Sequence, residues 1–587
     1  MKTSEWDLSA LYDGFDDPRW RADFASLKDA ARAALSHVKN LAPDRFDAPD
    51  AGAALQRIDA ALTLHARTSA YARMVQMADN RRADALGMLT ALDQPGADIA
   101  AAISAFARLL QRSWRAETLA GDPALAAYAA YFHLQAEAAP HALPEATEDV
   151  VLRMQRTGGQ TWARLRDAME ASMTARVALD GKTECLPIAR VRAGFSDGDA
   201  AVRRRCLSAD IEADRSAGTV FAGCLNGIKG EALEMARLRG FDSVLAWMLF
   251  ISRMERGTLD ALQAAIRDAL PAFRRFLKAK ARLLGCDGGL PYCDISAPVG
   301  SAGRFTLFEA RRFLVEAFSG ADEALAAFAD AAFENNWIDA LPRAGKQGGG
   351  ICFPLDAARG SRILLNFDGG FPGVASLAHE LGHAWHDRQI FRLPQLLRDA
   401  PTPVCETAST FCETLVYAHA LKSAAGDARL FHLNAALSGA VQTIADTHSR
   451  FLFEDEVLRR RAAGPLTADA LAEIMVESQR AVYGDSLAQL HPYMWVDKVH
   501  YYIPDFHYYN FPYAFGLLFA RGLYAESRRR PADFFARYNR LLWETCTLRV
   551  EEAGRNMGFR LTEPDFWRDA LKDFEEMTDE FERLARR

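Results

Sequence analysis

Apolar residues recur at spacings of three and four along most of the first 340 residues, in segments rich in Ala, Leu, Arg and Glu. Two examples are ADFASLKDAARAALSHVKNL at 22–41 and GTLDALQAAIRDALPAFRRFLKAKARLLG at 257–285. This spacing places the apolar side chains on one face of an α-helix, and the four residue types favour helices. The chain is therefore predicted to be mostly α-helical. At 587 residues it is long enough for two or three structural units.

Two interruptions of the helical pattern are the best candidates for internal boundaries. The segment EAAPHALPEATED at 137–149 contains two prolines, and LDGKTECLP at 179–187 contains a glycine and a proline. These residue types commonly mark turns and linkers. We therefore expect an N-terminal helical region at 1–115, a small helical unit at 116–190 and a large remainder at 191–587.

The charge balance argues against nucleic-acid binding. The chain has 70 Lys and Arg residues against 77 Asp and Glu residues, whereas proteins that bind nucleic acids present a basic surface to the phosphates.

The first 20 residues lack the basic flank and apolar run of a secretory signal, and no apolar stretch is long enough to span a bilayer. Nine cysteines, none of them before residue 185, do not suggest a disulfide framework. We expect a cytoplasmic protein that does not insert into membranes.

The segment GKQGGGICFPLDAARGSRILLNFDGG at 345–370 departs from the helical pattern. Its glycines bracket two short runs of apolar and β-branched residues, which is typical of short strands joined by turns. A phosphate-binding loop is the alternative interpretation of the glycine triplet. The spacing does not match that motif, and a strand rather than a helix follows. A small β-sheet is therefore predicted here.

The segment GVASLAHELGHAWHDRQ at 373–389 is predicted to be a helix with one face that packs on the core and another that carries two histidines. Its apolar residues recur at spacings of three and four and form a stripe that faces the core: Val374, Leu377, Leu381 and Ala384. His379 and His383 are four residues apart, so their side chains lie one above the other on a single face. This arrangement allows two imidazoles to bind one zinc ion.

Glu380 lies about 100° around the helix from His379, where its carboxylate can reach a water on the ion without binding the ion. The pattern is H-E-x-x-H, in which the glutamate is the general base of metallopeptidases. In a chain with 13 histidines among 587 residues, on the order of 0.02 such pentapeptides are expected by chance. A metal site is therefore the favoured interpretation.

An open catalytic zinc site needs a third protein ligand. His386 is excluded because, at about 1.5 Å per residue, it lies about 10 Å from His379 along the helix axis. We expect His386 either to support the site from outside or to lie on the surface.

The third ligand is expected on a second helix, TPVCETASTFCETLVYAHAL at 402–421. Thr402 is predicted to cap this helix, and Pro403 to occupy its first position. Glu406 and Glu413 lie on one of its faces, two turns apart, so they cannot both bind one ion. One of them is expected to bind the metal, and the other can orient a histidine.

Three segments together carry a family resemblance: HELGHAWH at 379–386, CETAST at 405–410 and HPYMWVDKVHYYIPDFHYYNFPYAFG at 491–516. They resemble the oligoendopeptidase F group of the thimet-oligopeptidase-like metallopeptidases, which are thermolysin-like zinc enzymes. The resemblance extends over 195–587 and, more weakly, over the N-terminal region. It implies a helical fold that encloses a deep substrate channel, with the small sheet beside the zinc-binding helices. It also implies that 116–190 is the small N-terminal-type domain of that group.

The resemblance also implies roles for individual residues. One zinc ion per chain is expected to be bound by His379, His383 and Glu406. Glu380 is expected to be the general base that deprotonates a zinc-bound water. A downstream histidine and two tyrosines are expected to hold the substrate and to stabilise the oxyanion: His500, Tyr509 and Tyr513.

These inferences predict a zinc-dependent metalloendopeptidase that hydrolyses internal bonds of short oligopeptides. The restriction to short unfolded peptides comes from the resemblance alone. The SRILLNF segment at 361–367 is expected to pair with the substrate backbone as an added strand, which favours peptides over other amides. Two alternatives stay open: a zinc-containing peptide-binding protein without turnover, and a zinc hydrolase of non-peptide amides. The presence of Glu380 argues against the first, because a binding protein needs no base.

Overall fold

The computed structural model describes residues 5–42, 46–113, 115–179, 181–356 and 360–586. Most of these residues lie in α-helices, which confirms the predicted fold class. Within the described ranges, no helix is both long enough and apolar enough to cross a membrane.

Three long helices form the N-terminal part: α1 (Pro18–Lys39), α2 (Ala48–Ala78) and α3 (Ala83–Ser113). Aspartates cap the first two, because the side chain of Asp17 accepts the N–H of Arg19 and that of Asp47 accepts the N–H of Asp50. The helices enclose a buried cluster of aromatic and aliphatic side chains. Strands of a small sheet, described below, pack against the same cluster.

Short elements follow: α4 (Ala116–Ala120), α5 (Ala129–Ala138), α6 (Glu145–Thr157), α7 (Gly159–Ser172), β1 (Thr174–Leu179), β2 (Lys182–Pro187) and α8 (Ile188–Ala193). The strands β1 and β2 pair in antiparallel fashion. This hairpin lies within a unit that was expected to be purely helical. Its sequence signal is the alternation in β1, where Ala175 and Val177 are buried while Thr174 and Arg176 are exposed.

The remainder is built around one large buried core. Its helices before residue 400 are α9 (Ala200–Leu238), α10 (Val244–Ile251), α11 (Arg256–Leu283), α12 (Leu307–Ser319), α13 (Glu323–Glu334) and α14 (Phe371–Ile390). Its later helices are α15 (Thr402–Cys405), α16 (Thr407–Ser423), α17 (Gly426–Ala440), α18 (Thr447–Arg461), α19 (Ala468–Tyr483), α20 (Met494–Asp497), α21 (Phe511–Arg529), α22 (Pro531–Glu544), α23 (Val550–Asn556) and α24 (Pro564–Leu584). A π-helical segment, Val441–Asp446, joins α17 to α18.

Two small sheets accompany these helices. The strand β3 (Leu290–Pro291) pairs with a late strand at Leu487–Gln489, which we call β7. The predicted sheet consists of β4 (Ile338–Asp339), β5 (Ile351–Leu355) and β6 (Gly360–Leu364), in the order β4-β6-β5. Residues 357–359 of the predicted segment lie outside the described residues.

The strand order overturns one expectation. The segment SRILLNF begins within β6, which is the central strand, antiparallel to β5 and parallel to β4. Because both edges of β6 are occupied, it cannot accept a substrate strand. The two-residue strand β4 takes the second edge and is too short to be recognised from sequence. Within the described part of the chain, β5 has no second neighbour and presents the open edge.

Candidate metal centre

Two neighbouring helical regions bring three donor atoms together. On α14, His379 Nε2 and His383 Nε2 are 3.1 Å apart. Glu406 Oε2 lies 3.3 Å from the first nitrogen and 3.1 Å from the second. Donors around a tetrahedral zinc ion with bonds of about 2.0–2.1 Å are about 3.3 Å from one another. The three donors therefore have the spacing that such an ion requires.

The helix α14 places its donors as the sequence predicts. The apolar stripe at Val374, Leu377, Leu381 and Ala384 is buried. His379 and His383 lie on another face, with about a quarter of each side chain exposed. The stripe therefore fixes the rotation of the helix about its axis, and this rotation directs both imidazoles to the same point.

Gly382 sets the distance between α14 and α16. A Cβ atom at this position would lie 2.5 Å from the carbonyl oxygen of Ala408 and 2.6 Å from Cα of Ser409. Backbone atoms cannot move aside as a flexible side chain can, so only glycine permits this approach. A glycine inside a strong helical pattern is the sequence signal for such close packing. Gly382 is not among the residues predicted above to shape the site.

Glu406 lies at a break between two helical segments. Its backbone (φ −92°, ψ 9°) ends α15, and α16 begins at the next residue. The predicted helix at 402–421 is therefore interrupted at the residue that carries the third donor. The prediction of Thr402 as the N-cap is also wrong, because Thr402 is the first helical residue and Pro401 precedes it.

Hydrogen bonds hold the Glu406 carboxylate. Ser409 Oγ donates to Glu406 Oε2 over 2.7 Å. Burial raises the pKa of Glu406, but the hydrogen bonds and charges of the two histidines outweigh burial and lower it far below its usual range. The carboxylate is therefore ionised, as a metal ligand must be.

Glu413 contacts the opposite nitrogen of His379. His379 Nδ1 donates to Glu413 Oε1 over 2.5 Å, so Nε2 is the nitrogen that is directed at the other two donors. Burial lowers the pKa of His379, but its bonds to Glu406 and Glu413 raise it to about 10. The same negative charges favour any cation at this position. Of the two carboxylates considered from sequence, Glu406 faces both Nε2 atoms and Glu413 orients a histidine.

Glu380 lies beside the donor set and close to the small sheet. Its side chain is buried, and burial raises its pKa. A Cβ atom at Gly350 would lie 2.6 Å from Glu380 Oε1. Gly350 is the last glycine of the triplet and directly precedes β5, so this glycine leaves room for the carboxylate. The last glycine of the triplet therefore accommodates the carboxylate of Glu380.

His500, Tyr509 and Tyr513 form a cluster. His500 Nε2 and Tyr513 Oη are 3.2 Å apart. The ring of Tyr509 lies against both, with centroid distances of 5.2 Å to His500 and 5.4 Å to Tyr513. Burial lowers the pKa of His500 to about 4 and raises that of Tyr513 above its usual range. Near neutral pH the imidazole is therefore uncharged and the phenol keeps its proton.

The helix α21 connects this cluster to the donor set. Tyr513 lies in the first turn of α21 and is partly exposed. Three residues later, a Cβ atom at Gly516 would lie 3.6 Å from Cβ of Glu406. Tyr513 therefore lies within one helical turn of Gly516, the residue that packs against Glu406, the third donor.

His386 does not belong to the centre and does not lie on the surface. It is buried, and its Nε2 donates to the carbonyl oxygen of Leu542 over 2.8 Å. Burial lowers its pKa to about 4. The histidine is a neutral core residue that ties α14 to α22, so the expectation of a surface position is wrong.

A cavity of about 560 Å³ lies along the open edge of β5. It is bounded by residues of β5, by α2 and by the last turn of α14, including Phe353, Arg67, Arg73, Asp387 and Ile390. Local sequence patterns carry no signal for it, because α2 and β5 are almost 300 residues apart. The cavity extends away from Glu380, which lies at the opposite end of β5.

The part of the chain that holds the centre matches a known family. Residues 315–573 match peptidase family M3. The family resemblance predicted from the sequence is thereby confirmed. The peptidase M3 region contains the three donors, Glu380 and the tyrosine cluster.

Curated relatives agree with this match. An oligoendopeptidase F homolog from Lactococcus lactis subsp. lactis (strain IL1403) is 26% identical over 366 residues, which cover 60% of this chain and 58% of the relative. A plasmid-encoded oligoendopeptidase F from Lactococcus lactis subsp. cremoris is 26% identical over 368 residues, with the same shares. The chain thus spans 58% of the length of the curated relatives that it matches.

Solved structures share the fold over nearly the whole chain. A candidate peptidase from Chlamydophila abortus superposes with a TM-score of 0.87 at 18% identity, covering 99% of this chain and 98% of the other. Oligoendopeptidase-F from Enterococcus faecium gives a TM-score of 0.68 at 18% identity, covering 96% and 98%. The helical architecture around the peptidase M3 region is therefore that of these proteins.

Proposed function

We propose that the chain is a zinc-dependent metalloendopeptidase that hydrolyses internal bonds of short, unfolded oligopeptides. The observation that carries this proposal is the set of three donors spaced for one zinc ion, with the buried carboxylate of Glu380 beside it. The match of this region to peptidase family M3 supports the same activity. The cytoplasmic location predicted from the sequence is part of the proposal.

His379, His383 and Glu406 would hold one zinc ion per chain. Two imidazoles and one carboxylate leave a position open, as in catalytic rather than structural zinc sites. When bound, zinc polarises a peptide carbonyl and acidifies water. Glu413 keeps the proton of His379 on Nδ1, so that Nε2 stays available as a ligand.

Glu380 is the proposed general base. Its carboxylate accepts the proton of the attacking water and delivers it to the leaving nitrogen. A base transfers protons most effectively when its pKa is near the working pH. Burial raises the pKa of Glu380 toward that range, so its surroundings suit this role.

Tyr513 and His500 are the proposed donors to the oxyanion, and Tyr509 holds them in place. The Tyr513 phenol is protonated near neutral pH and partly exposed, so it can donate a hydrogen bond to a substrate. The ring of Tyr509 stacks on His500 and meets Tyr513 edge-on, which limits the movement of both neighbours. Fixed donors of this kind are effective because they need no reorganisation during the reaction.

The open edge of β5 is the proposed binding surface for the peptide backbone. An extended peptide paired with β5 would lie beside Gly350, and so beside Glu380, at one end. At the other end it would occupy the cavity of about 560 Å³ between α2 and α14. Pairing with a strand edge requires a run of backbone amides, which favours peptides over isolated amides as substrates.

An internally quenched fluorescent peptide tests the proposal. We expect cleavage by the purified protein, loss of cleavage after exhaustive chelation, and its return when one equivalent of zinc is added. Mass spectrometry of the products should locate an internal bond. A simple acyl anilide is the control for general amidase activity. Peptide binding without cleavage, or cleavage that survives complete metal removal, would contradict the proposal.

A further inference from the structure

Lys229 and Glu454 form a buried ion pair away from the donor set. Lys229 on α9 and Glu454 on α18 are joined by a 2.6 Å contact between Nζ and Oε1, and each side chain is only 1% exposed. Removing two charges from water is costly unless further hydrogen bonds satisfy them. The roles proposed above do not use this pair.

The remaining hydrogen bonds of Glu454 go to one loop. The backbone N–H of Tyr508 donates to Oε1 over 2.9 Å, and the amide of Asn510 donates to Oε2 over 2.9 Å. These two residues stand immediately before and after Tyr509. The buried carboxylate therefore holds the loop on both sides of a residue of the tyrosine cluster.

Tyr508 has a conformation that needs such support. Its φ of 53° lies in the left-handed region, which is unfavourable for residues other than glycine. Besides its N–H bond to Glu454, its hydroxyl donates to Asp455 Oδ1 over 2.8 Å. Both contacts come from α18, so this helix maintains the turn that directs Tyr509 toward His500 and Tyr513.

Asn510 connects the carboxylate of Glu454 to the first turn of α21 through hydrogen bonds. While its amide nitrogen donates to Glu454, its Oδ1 accepts the N–H of Phe511 over 2.6 Å at the start of the helix. The N–H of Tyr513 donates to the carbonyl oxygen of Asn510 over 3.1 Å. The first turn of α21, and Tyr513 with it, is thus tied to the carboxylate.

Lys229 reaches the loop through His507. Its Nζ lies 3.2 Å from Nδ1 of His507, which is fully buried. Burial and the charge of Lys229 hold the pKa of His507 well below its usual value. The histidine is therefore neutral and accepts a hydrogen bond from Lys229. Residues 507, 508 and 510 are all bonded to one member of the pair or the other.

We propose that Lys229 and Glu454 are positioning residues that hold Tyr509 and Tyr513 in the arrangement used for turnover. The inference rests on the proposed function, because the tyrosines matter only if a substrate is turned over there. A displacement of about 1 Å at a reacting group can cost on the order of 100-fold in rate. Loosening the loop should therefore lower kcat without removing any metal ligand.

The variant Glu454→Gln keeps the shape of the side chain but removes its charge and one accepting oxygen. We expect kcat to fall by about 10- to 100-fold, while KM changes little and zinc content stays at the wild-type level. Amide hydrogen exchange in residues 506–510 should become faster. Asn510→Ala removes the bond to Glu454 and the cap on the Phe511 N–H without leaving a charge unpaired, and it should give a smaller effect in the same direction.

Two further variants separate positioning from general stability. In Lys229→Met/Glu454→Gln no charge remains in the pair, so thermal stability should recover from that of the single variant while kcat stays low. Glu551→Gln is the matched control. Glu551 is also buried and accepts hydrogen bonds from the Glu255 N–H and the Thr258 hydroxyl. Glu551 lies on α23 and its two partners lie at the start of α11, so none of the three belongs to the loop. It should lower stability and leave kcat and loop exchange unchanged.

The positioning role is overturned if kcat of Glu454→Gln stays within twofold of wild type, or if kcat recovers together with stability in the double variant. If the wild-type protein cleaves no peptide, the proposed function fails, and exchange alone then decides. Faster exchange at 506–510 in Glu454→Gln but not in Glu551→Gln supports the hold on the loop. Equal exchange in the two variants contradicts it.

Discussion

Glu380 and Glu406 are carboxylates of the same centre, yet their surroundings shift their pKa values in opposite directions. Burial raises the pKa of both. For Glu380 burial dominates, whereas for Glu406 the two histidines outweigh it and lower the pKa strongly. Carboxylates that differ in this way suit different tasks. Glu380 can exchange a proton, and Glu406 stays a permanent anion.

Replacing Glu380 by Gln separates the base from the ligands. The amide has the same size and leaves His379, His383 and Glu406 unchanged, but it cannot take a proton from water. We expect zinc content near wild type and a loss of kcat of at least about 10² to 10⁴-fold. Metal analysis and peptide cleavage on the same preparation measure both quantities. A zinc-loaded variant that retains near wild-type turnover would remove Glu380 from the mechanism.

The two glutamates near His379 should differ in their effect on metal affinity. Glu406→Ala removes a donor, so both zinc and activity should be lost. Glu413→Ala removes only the partner of His379 Nδ1, and losses of this kind weaken metal affinity by about 10- to 100-fold. Competition with a chromophoric chelator measures both affinities. If Glu413→Ala had the larger effect, the assignment of the third ligand would be wrong.

At the scale of secondary-structure elements, the sequence predicts helices better than it predicts their interruptions. The periodic stripe gives α14 with nearly correct bounds, because each apolar position reports on the same face. The break at Glu406 has no such signal in the local sequence, and α15, which precedes it, packs against α21 from a distant part of the chain. The strand order of the small sheet is likewise missed, because β4 contributes only Ile338 and Asp339.

Contacts between distant elements limit what the sequence predicts about the site. His379, Glu380 and His383 come from one helical turn, so local geometry alone brings them together. The cluster of His500 and the tyrosines is suggested by the family resemblance, not by periodicity. The bond between Lys229 and Glu454 joins residues 225 positions apart. No local sequence pattern predicts an ion pair between residues so far apart in the chain.

The packing of α14 on α16 should depend on Gly382. In Gly382→Ala the added methyl group meets backbone atoms of Ala408 and Ser409. We expect a loss of unfolding free energy of about 1–3 kcal/mol from overpacking, together with weaker metal binding. Gly87→Ala in α3 is the control, because nothing lies within 4 Å of the added atom. It should stabilise the protein by about 0.5–1 kcal/mol.

Urea unfolding and zinc titration of both glycine variants measure the two effects. Unchanged stability and metal affinity in Gly382→Ala would mean that the two helices can move apart without consequence. The role given to this glycine would then be incorrect.

At the scale of the whole molecule, the donors, the open strand edge and the adjoining cavity come from widely separated parts of one chain. α2 from the N-terminal region and β5 from the peptidase M3 region line the same cavity. A substrate seated there must fit between helices on two sides. The deep substrate channel that the family resemblance implies stays a prediction.

Substrates should therefore need to be short and unfolded. The same cleavable sequence can be presented as a free peptide and within the loop of a stable folded domain. We expect efficient cleavage of the first and at least a tenfold lower kcat/KM for the second. Unfolding the carrier domain by a destabilising substitution is the control and should restore cleavage. Equal rates for the free and the folded form would indicate an open cleft.

Glu406 lies between α15 and α16. Its position can couple the occupancy of the proposed metal site to the angle between these two helical segments. A donor inside a continuous helix moves only when the whole helix moves, whereas a donor at a joint also responds to the angle between two segments. Thermodynamic coupling of this kind is reciprocal. If a change in this angle alters the affinity for the proposed ion, binding of the ion biases the angle by the same free energy. Because Gly516 of α21 packs on Glu406, movements of the helix that carries Tyr513 can be transmitted to the joint.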